Sequence, residues 1–169
     1  KYKLKKKKIG FVPTLGALHK GHLELIRLAK KESDIAVVSI FLNPLQFNSK
    51  SDFKKYPTNL VTDKKKINKE KVNILYIPAI NDVFPSKKIK RVKVSSKTNK
   101  LCGKFRKGHF NGVVTVLKSL FDQVSPNLAF FGEKDFQQIL IIKDLISEYK
   151  LKIKIITIPT VRDNTGLAY

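Results

Sequence analysis

The chain has 169 residues, 42% of them hydrophobic, with 35 lysines and arginines against 13 acidic residues and a formal net charge of +22. That length fits one domain with apolar content for a core. No apolar run approaches the ~20 residues of a membrane span, and the basic residues 1–8 lack the apolar stretch of a secretory signal. A single cysteine, Cys102, excludes an internal disulfide framework and zinc-type cysteine clusters, and it suits a reducing cytoplasm.

Residues 8–12 read as a short strand and 16–21 as a loop. Over 23–32, Leu25, Ile26, Leu28 and Ala29 fall on one face of a helix. Residues 35–42, IAVVSIFL, are almost wholly apolar and rich in β-branched side chains, as in a strand covered on both faces. A third strand is expected over 73–78. Residues 84–94 carry no clear period, although 90–94 alternate as an edge strand does. A helix follows over 111–124 with Val114, Leu117, Leu120 and Phe121 inward, then a strand over 128–131, a long helix over 134–149 and a strand over 153–158. This alternation predicts an α/β fold: a doubly wound, Rossmann-like parallel sheet with helices on both faces. Ligands of such sheets bind beyond the carboxyl ends of the strands. The loops at 13–22, 43–47, 132–138 and 160–166 should therefore collect at one edge.

The positive charge comes from 31 lysines and four arginines spread along the chain. Sequence-reading DNA binders favour arginine at base edges, so the excess reads as a solvated surface that also attracts anionic substrates. A lysine-rich nucleic-acid-binding domain is the non-enzymatic alternative. The chemistry concentrates instead in His19-Lys20-Gly21-His22, where a strand, a loop and a helix meet. The three-residue spacing puts both imidazoles on one side of the helix start. Gly21 lets a phosphate approach the backbone, and the helix terminus adds unpaired N–H groups and its positive dipole end. Two imidazoles there can bond phosphate oxygens and stabilise charge developing at an α-phosphate.

In that context residues 10–23, GFVPTLGALHKGHL, resemble the signature of the pantothenate synthetase (pantoate–β-alanine ligase) family within the HxGH nucleotidylyl-transferase superfamily. SIFLNPLQF (39–47), DFKKYP (52–57), LCGKFRKGHFNGVVTVLKSLF (101–121), FFGEKDFQQ (130–138) and IPTVRDNTGLA (158–168) resemble further family segments in family order. The resemblance implies an ATP-dependent ligase that adenylates pantoate and passes the acyl group to β-alanine. It implies that the loop Leu15, Gly16, Ala17, Leu18, His19, Lys20, Gly21 and His22 wraps ATP, with His22 as proton donor and His19 assisting at the phosphates. Gly132, Glu133, Lys134 and Asp135 would line ATP, Lys134 at the phosphates, and the Val161 backbone would touch adenine. Gln46 would contact pantoate and later β-alanine, and Gln138 would hold pantoate from the opposite side, with Asn43 nearby and Tyr56 on a mobile wall. Arg106 and His109 would flank the phosphate or amine side. Mg²⁺ would arrive with ATP, with Asp63 a candidate carboxylate nearby and no resident metal site. The implied protein is a cytoplasmic homodimer; another HxGH adenylyltransferase with a different acceptor is the rival enzyme.

The sequence departs from the family pattern at Leu15, where methionine is usual, and at Phe105 and Lys107 around Arg106. Residues 1–169 are expected to form the nucleotide- and pantoate-binding domain. The family's SSR loop and its smaller C-terminal domain are expected beyond this chain, which alone is expected to turn over poorly.

Overall fold

The computed structural model describes residues 7–85, 92 and 96–169. Five strands form one sheet: β1 (Ile9–Thr14), β2 (Ile35–Ile40), β3 (Ile74–Tyr76), β4 (Leu128–Gly132) and β5 (Lys154–Ile158). Their order is β3-β2-β1-β4-β5, and every pairing is parallel. β2 is buried along its whole length, as its unbroken apolar run requires of a strand between two helical layers. Its side chains alternate between the layers. Ile35 and Val37 join one core with Val114, Leu117, Ile141 and Ile142; Ala36 and Val38 join another with Ile26, Ala29 and Ile67. The first core holds α6 (His109–Val124) and α7 (Phe136–Glu148), the second α1 (Lys20–Glu32) and α3 (Leu60–Lys69). The doubly wound α/β expectation holds.

Several boundaries move, for physical reasons. β1 runs on to Thr14 through Pro13, because its pairing with β4 covers only Gly10 and Phe11 and the missing N–H costs no ladder bond there. α1 begins at Lys20, three residues before its apolar face does, so both histidines belong to the helix start. α6 likewise starts two residues early, at His109, behind Gly108 with a φ of 81°. α7 is preceded by a short 3-10 turn, Glu133–Asp135. Short helices α2 (Lys50–Lys55), α4 (Ile80–Val83) and α5 (Cys102–Phe105), and the whole of α3, occupy stretches that carry no apolar period. The alternating stretch at 90–94 lies outside the described residues apart from Val92, whose N–H donates to Thr115 Oγ1.

β1 is the topological switch point, with β2 on one side and β4 on the other. The carboxyl ends of β1 and β4 therefore open a crevice between two chain crossovers that run to opposite sides.

Candidate active site

A cleft of about 370 Å³ occupies that crevice. Its floor is the ends of the strands: Pro13 and Thr14 of β1 with Leu15 after them, Phe130 to Gly132 of β4, and Ile158 of β5 with Pro159 to Val161 after it. His19, Gly21, His22, Gln46, Tyr56, Arg106, His109, Lys134, Asp135 and Gln138 also line it, with apolar side chains of α1, α6 and the segment after β2, and Tyr169. The four loops singled out by pattern do collect at one edge, and most of the residues named from sequence share one cavity.

The histidines sit where α1 begins. His19 is the N-cap and His22 the third helical residue, and their rings lie 3.9 Å apart between centroids. The His19 N–H donates to His22 Nδ1 at 3.3 Å. His22 therefore carries its ring proton on Nε2. The His19 ring makes no return bond to the helix, and its Nδ1 is buried without a hydrogen-bond partner. A Cβ on Gly21 would stand 3.1 Å from the His19 ring, so the glycine also gives that ring its room. Burial first, then the neighbouring His19, Lys134 and Lys66, push the His22 pKa down to about 3; burial and the same two lysines lower His19. The expected proton donor is thus, before any ligand arrives, a neutral imidazole offering an Nε2–H hydrogen bond. The positive charge felt by the two histidines comes from Lys134 and from Lys66, a residue that sequence reading passed over among so many lysines. Lys134 Nζ donates to the Tyr169 carbonyl at 2.6 Å.

The opposite wall is built on α6. A Cβ on Gly112 would lie 2.2 Å from the Leu45 carbonyl oxygen, so only glycine lets the 3-10 turn Pro44–Gln46 lie against this helix. Asn43 is fully buried and locks that contact. Its Nδ2 donates to Gln46 Oε1 and to the Gly112 carbonyl, both at 3.1 Å, and its Oδ1 accepts from the Leu45 N–H at 3.1 Å. Asn43 therefore stands behind the cleft and holds Gln46. With Gln46 Oε1 engaged, its amide N–H groups are what that side chain can offer a ligand. His109 Nδ1 lies 2.7 Å from the Gln46 carbonyl, which pins the same turn. Tyr56 closes the side through Phe47, 5.6 Å away between centroids.

Other residues named from sequence do not line the cleft. Leu18 is buried in the core under α1. Lys20 extends over the Tyr169 ring at 5.5 Å, and Glu133 accepts from Thr157 Oγ1 at 2.9 Å on the β5 side. Gly16 lines a second hollow on the far side of the loop. Asp63 does not line the cleft either: it is buried, and its two oxygens accept the Ala17 and Leu18 N–H groups at 2.9 and 2.8 Å. Among the described residues no group of three histidine, cysteine or acidic side chains could hold a metal, and no helix is long and apolar enough to cross a membrane.

A parallel sheet with a His-x-Gly-His loop at its switch point defines a doubly wound α/β domain with its candidate site at the carboxyl ends of β1 and β4. The pantoate-beta-alanine ligase family model matches residues 1–169, and the chain belongs to that family. A pantothenate synthetase of Thermoanaerobacter sp. (strain X514) is 47% identical over 166 residues, 98% of this chain and 59% of the relative. One from Buchnera aphidicola subsp. Acyrthosiphon pisum is 50% identical over 164 residues, 96% of this chain and 58% of the relative. A Francisella tularensis pantoate-beta-alanine ligase, complexed with beta-gamma ATP and beta-alanine, superposes with a TM-score of 0.95 at 42% identity, over 98% of this chain and 64% of that one. The chain thus spans about three fifths of the length of the relatives it matches.

Proposed function

We propose that this cleft carries out the two half-reactions of pantothenate synthesis. In the first, a pantoate carboxylate oxygen attacks the α-phosphorus of ATP; the bond to the β-phosphate breaks and pyrophosphate leaves. In the second, the β-alanine amine attacks the acyl carbon. The acyl–oxygen bond to AMP breaks, the amide forms, and the nitrogen's proton passes to water. One observation carries the reading: His19, His22 and Lys134 border the same cleft as Gln46 and Gln138, so a phosphate-facing side and an uncharged amide side share one cavity. A relative complexed with an ATP compound and β-alanine supports the same substrates here.

The chain's own groups supply positioning and charge stabilisation. His22 Nε2–H, the orphaned His19 ring and Lys134 meet the phosphates at the helix start. Asp135 and the backbone around Val161 border the nucleoside, and Arg106 and His109 border the side from which the amine would come. Gln46 and Gln138 hold pantoate without a salt bridge that would tie up its attacking oxygen. Mg²⁺ enters as part of the MgATP substrate, on phosphate oxygens and water. The protein is assigned to the cytoplasm and to a homodimer.

Pantoate-dependent ATP–pyrophosphate exchange in the intact protein tests the reading. Exchange that requires pantoate is expected. Exchange that ignores pantoate, or that another carboxylic acid supports equally, overturns the acceptor assignment.

A further inference from the structure

The loop that carries the histidines is gripped from behind by one turn of α3. Asp63 is 2% exposed, and each carboxylate oxygen accepts a different backbone N–H, Oδ2 that of Ala17 and Oδ1 that of Leu18. Three residues on, and so on the same helix face, Lys66 donates to the Leu18 carbonyl. Of the two peptide groups that flank Leu18, the preceding one is thus held at its N–H and the following one at its C=O.

The loop needs such a grip. Gly16 has a φ of 90° and Ala17 of 51°, and a residue with a Cβ enters the left-handed region reluctantly. Successive N–H groups of such a turn converge on an anion. Here the protein supplies that anion itself, and a Cβ on Gly16 would sit 3.1 Å from Asp63 Oδ2. What is held is one bond away from the chemistry. Leu18 precedes His19, whose N–H sets the ring proton of His22. Desolvation, and then the Asp63 charge, push the Tyr56 phenol up.

We propose that Asp63, assisted by Lys66, is a positioning residue for adenylation: it is the internal anion around which the left-handed turn is built, and it presets His19 and His22 before a nucleotide binds. The inference rests on the adenylation reading above, but half of its test does not.

The probes are Asp63→Asn, which keeps volume but must turn an NH₂ toward one of the two N–H groups, and Lys66→Met, which keeps the stem and removes the cation. Amide hydrogen exchange reads the grip and pantoate-dependent ATP–pyrophosphate exchange reads its consequence, both in the intact protein. Asp63→Asn is expected to speed exchange of the Ala17 and Leu18 amides about tenfold or more, as for a lost hydrogen bond to a charged group, while the β2 amides keep their protection. It should lower kcat and raise KM for ATP, each by about tenfold, and leave KM for pantoate within about threefold. Lys66→Met should act in the same direction with a smaller effect. Retained protection at both amides overturns the proposal. So does loss of protection across the whole sheet in step with activity, which marks a plain stability defect. A parent protein without exchange activity would count against the adenylation reading alone, because the amide measurement tests the grip by itself.

Discussion

His22 and His109 border one cleft with opposite ring nitrogens protonated. His22 Nδ1 accepts the His19 N–H, which leaves its proton on Nε2. His109 Nδ1 faces the Gln46 carbonyl at 2.7 Å, and a carbonyl oxygen can only accept, so the proton is on Nδ1 and Nε2 keeps its lone pair. Burial lowers the pKa of both rings, for His109 against the opposing pull of the Gln46 hydrogen bond. One side of the cleft therefore offers a donor for an oxyanion and the other an acceptor for an N–H or O–H. Nitrogen-15 NMR of the ligand-free protein at neutral pH should find the Nε2–H form at His22 and the Nδ1–H form at His109. The same tautomer at both would contradict this geometry.

That assignment separates two roles for His22. A hydrogen-bond donor can be mimicked by the Gln amide, which reaches to about the position of Nε2; a proton donor cannot. His22→Ala should cost about 10²-fold or more in pantoate-dependent pyrophosphate exchange, as for loss of one oxyanion-type donor. His22→Gln should recover part of that loss. Near-parental exchange in His22→Ala would remove the residue from the phosphate site. Equal losses in the two variants would restore the proton-donor role.

With the His19 ring, the imidazoles of His22 and His109 make stability depend on pH. His19, His22 and His109 all have folded pKa values below the ordinary 6.5, so below that pH the unfolded chain binds protons that the folded chain refuses. Their contribution is fully present above pH 6.5 and is lost as pH falls toward the folded values, about 3 for His22. From His22 alone the loss should approach about 1.4 kcal/mol per pH unit below pH ~6. Urea unfolding of the ligand-free protein at stepped pH checks this. His22→Gln should flatten the slope, and an unchanged slope would mean that the ring is solvated. ATP should work the other way, because its negative charge favours the imidazolium.

Legibility in the sequence followed burial. The IAVVSI run announced β2, and Val114, Leu117, Leu120 and Phe121 announced α6, because both elements pack an unbroken apolar surface. α3 was not legible, since only Asp63 and Ile67 of its ten residues are buried and no hydrophobic stripe emerges from its lysines. Asp63, whose carboxylate accepts the Ala17 and Leu18 N–H groups, therefore lay in a segment that read as solvated surface. HxGH was legible as a motif at the start of a helix. The tautomers were not, because they depend on His19 N–H and Gln46 C=O, which are backbone groups and leave no trace in residue identity. Asn43 was legible as a site residue but not as a support, since an amide behind a cleft and an amide in it look alike in sequence.

Gly112 should prove as demanding as any residue that touches substrate. A Cβ there would lie 2.2 Å from the Leu45 oxygen and 2.7 Å from the Gln46 nitrogen, both backbone atoms that cannot swing aside. Gly112→Ala should push the 3-10 turn off α6 at a cost of about 1–3 kcal/mol, the usual range for overpacking. It should also loosen the Asn43 bond to Gln46, so that KM for pantoate rises more than KM for ATP. An unchanged melting temperature and unchanged KM for pantoate would mean that the turn can move without consequence.

Gln46 and Gln138 are predicted to fail differently. Gln46 is buried and its Oε1 already accepts from Asn43 Nδ2, so on the proposed reading its NH₂ is the group that donates to the pantoate carboxylate. Gln46→Glu keeps size and the bond from Asn43 but replaces that donor with an acceptor of like charge. A buried carboxylate facing a substrate carboxylate either repels it or takes up a proton to escape the repulsion. Pantoate binding should therefore weaken steeply, and relief should come as pH is lowered and the new glutamic acid protonates. Gln138, in the first turn of α7, is part-exposed and lines the cleft from the other side. Gln138→Ala should cost about 1–3 kcal/mol in kcat/KM for pantoate, typical of one lost polar partner, with little pH dependence and little change for ATP. Steady-state kinetics against pantoate and ATP at three pH values distinguish the two. If Gln46→Glu weakens ATP and pantoate equally at every pH, the defect is the fold of the turn. If Gln138→Ala leaves pantoate untouched, that side chain lies outside the substrate's reach and the amide wall is Gln46 alone.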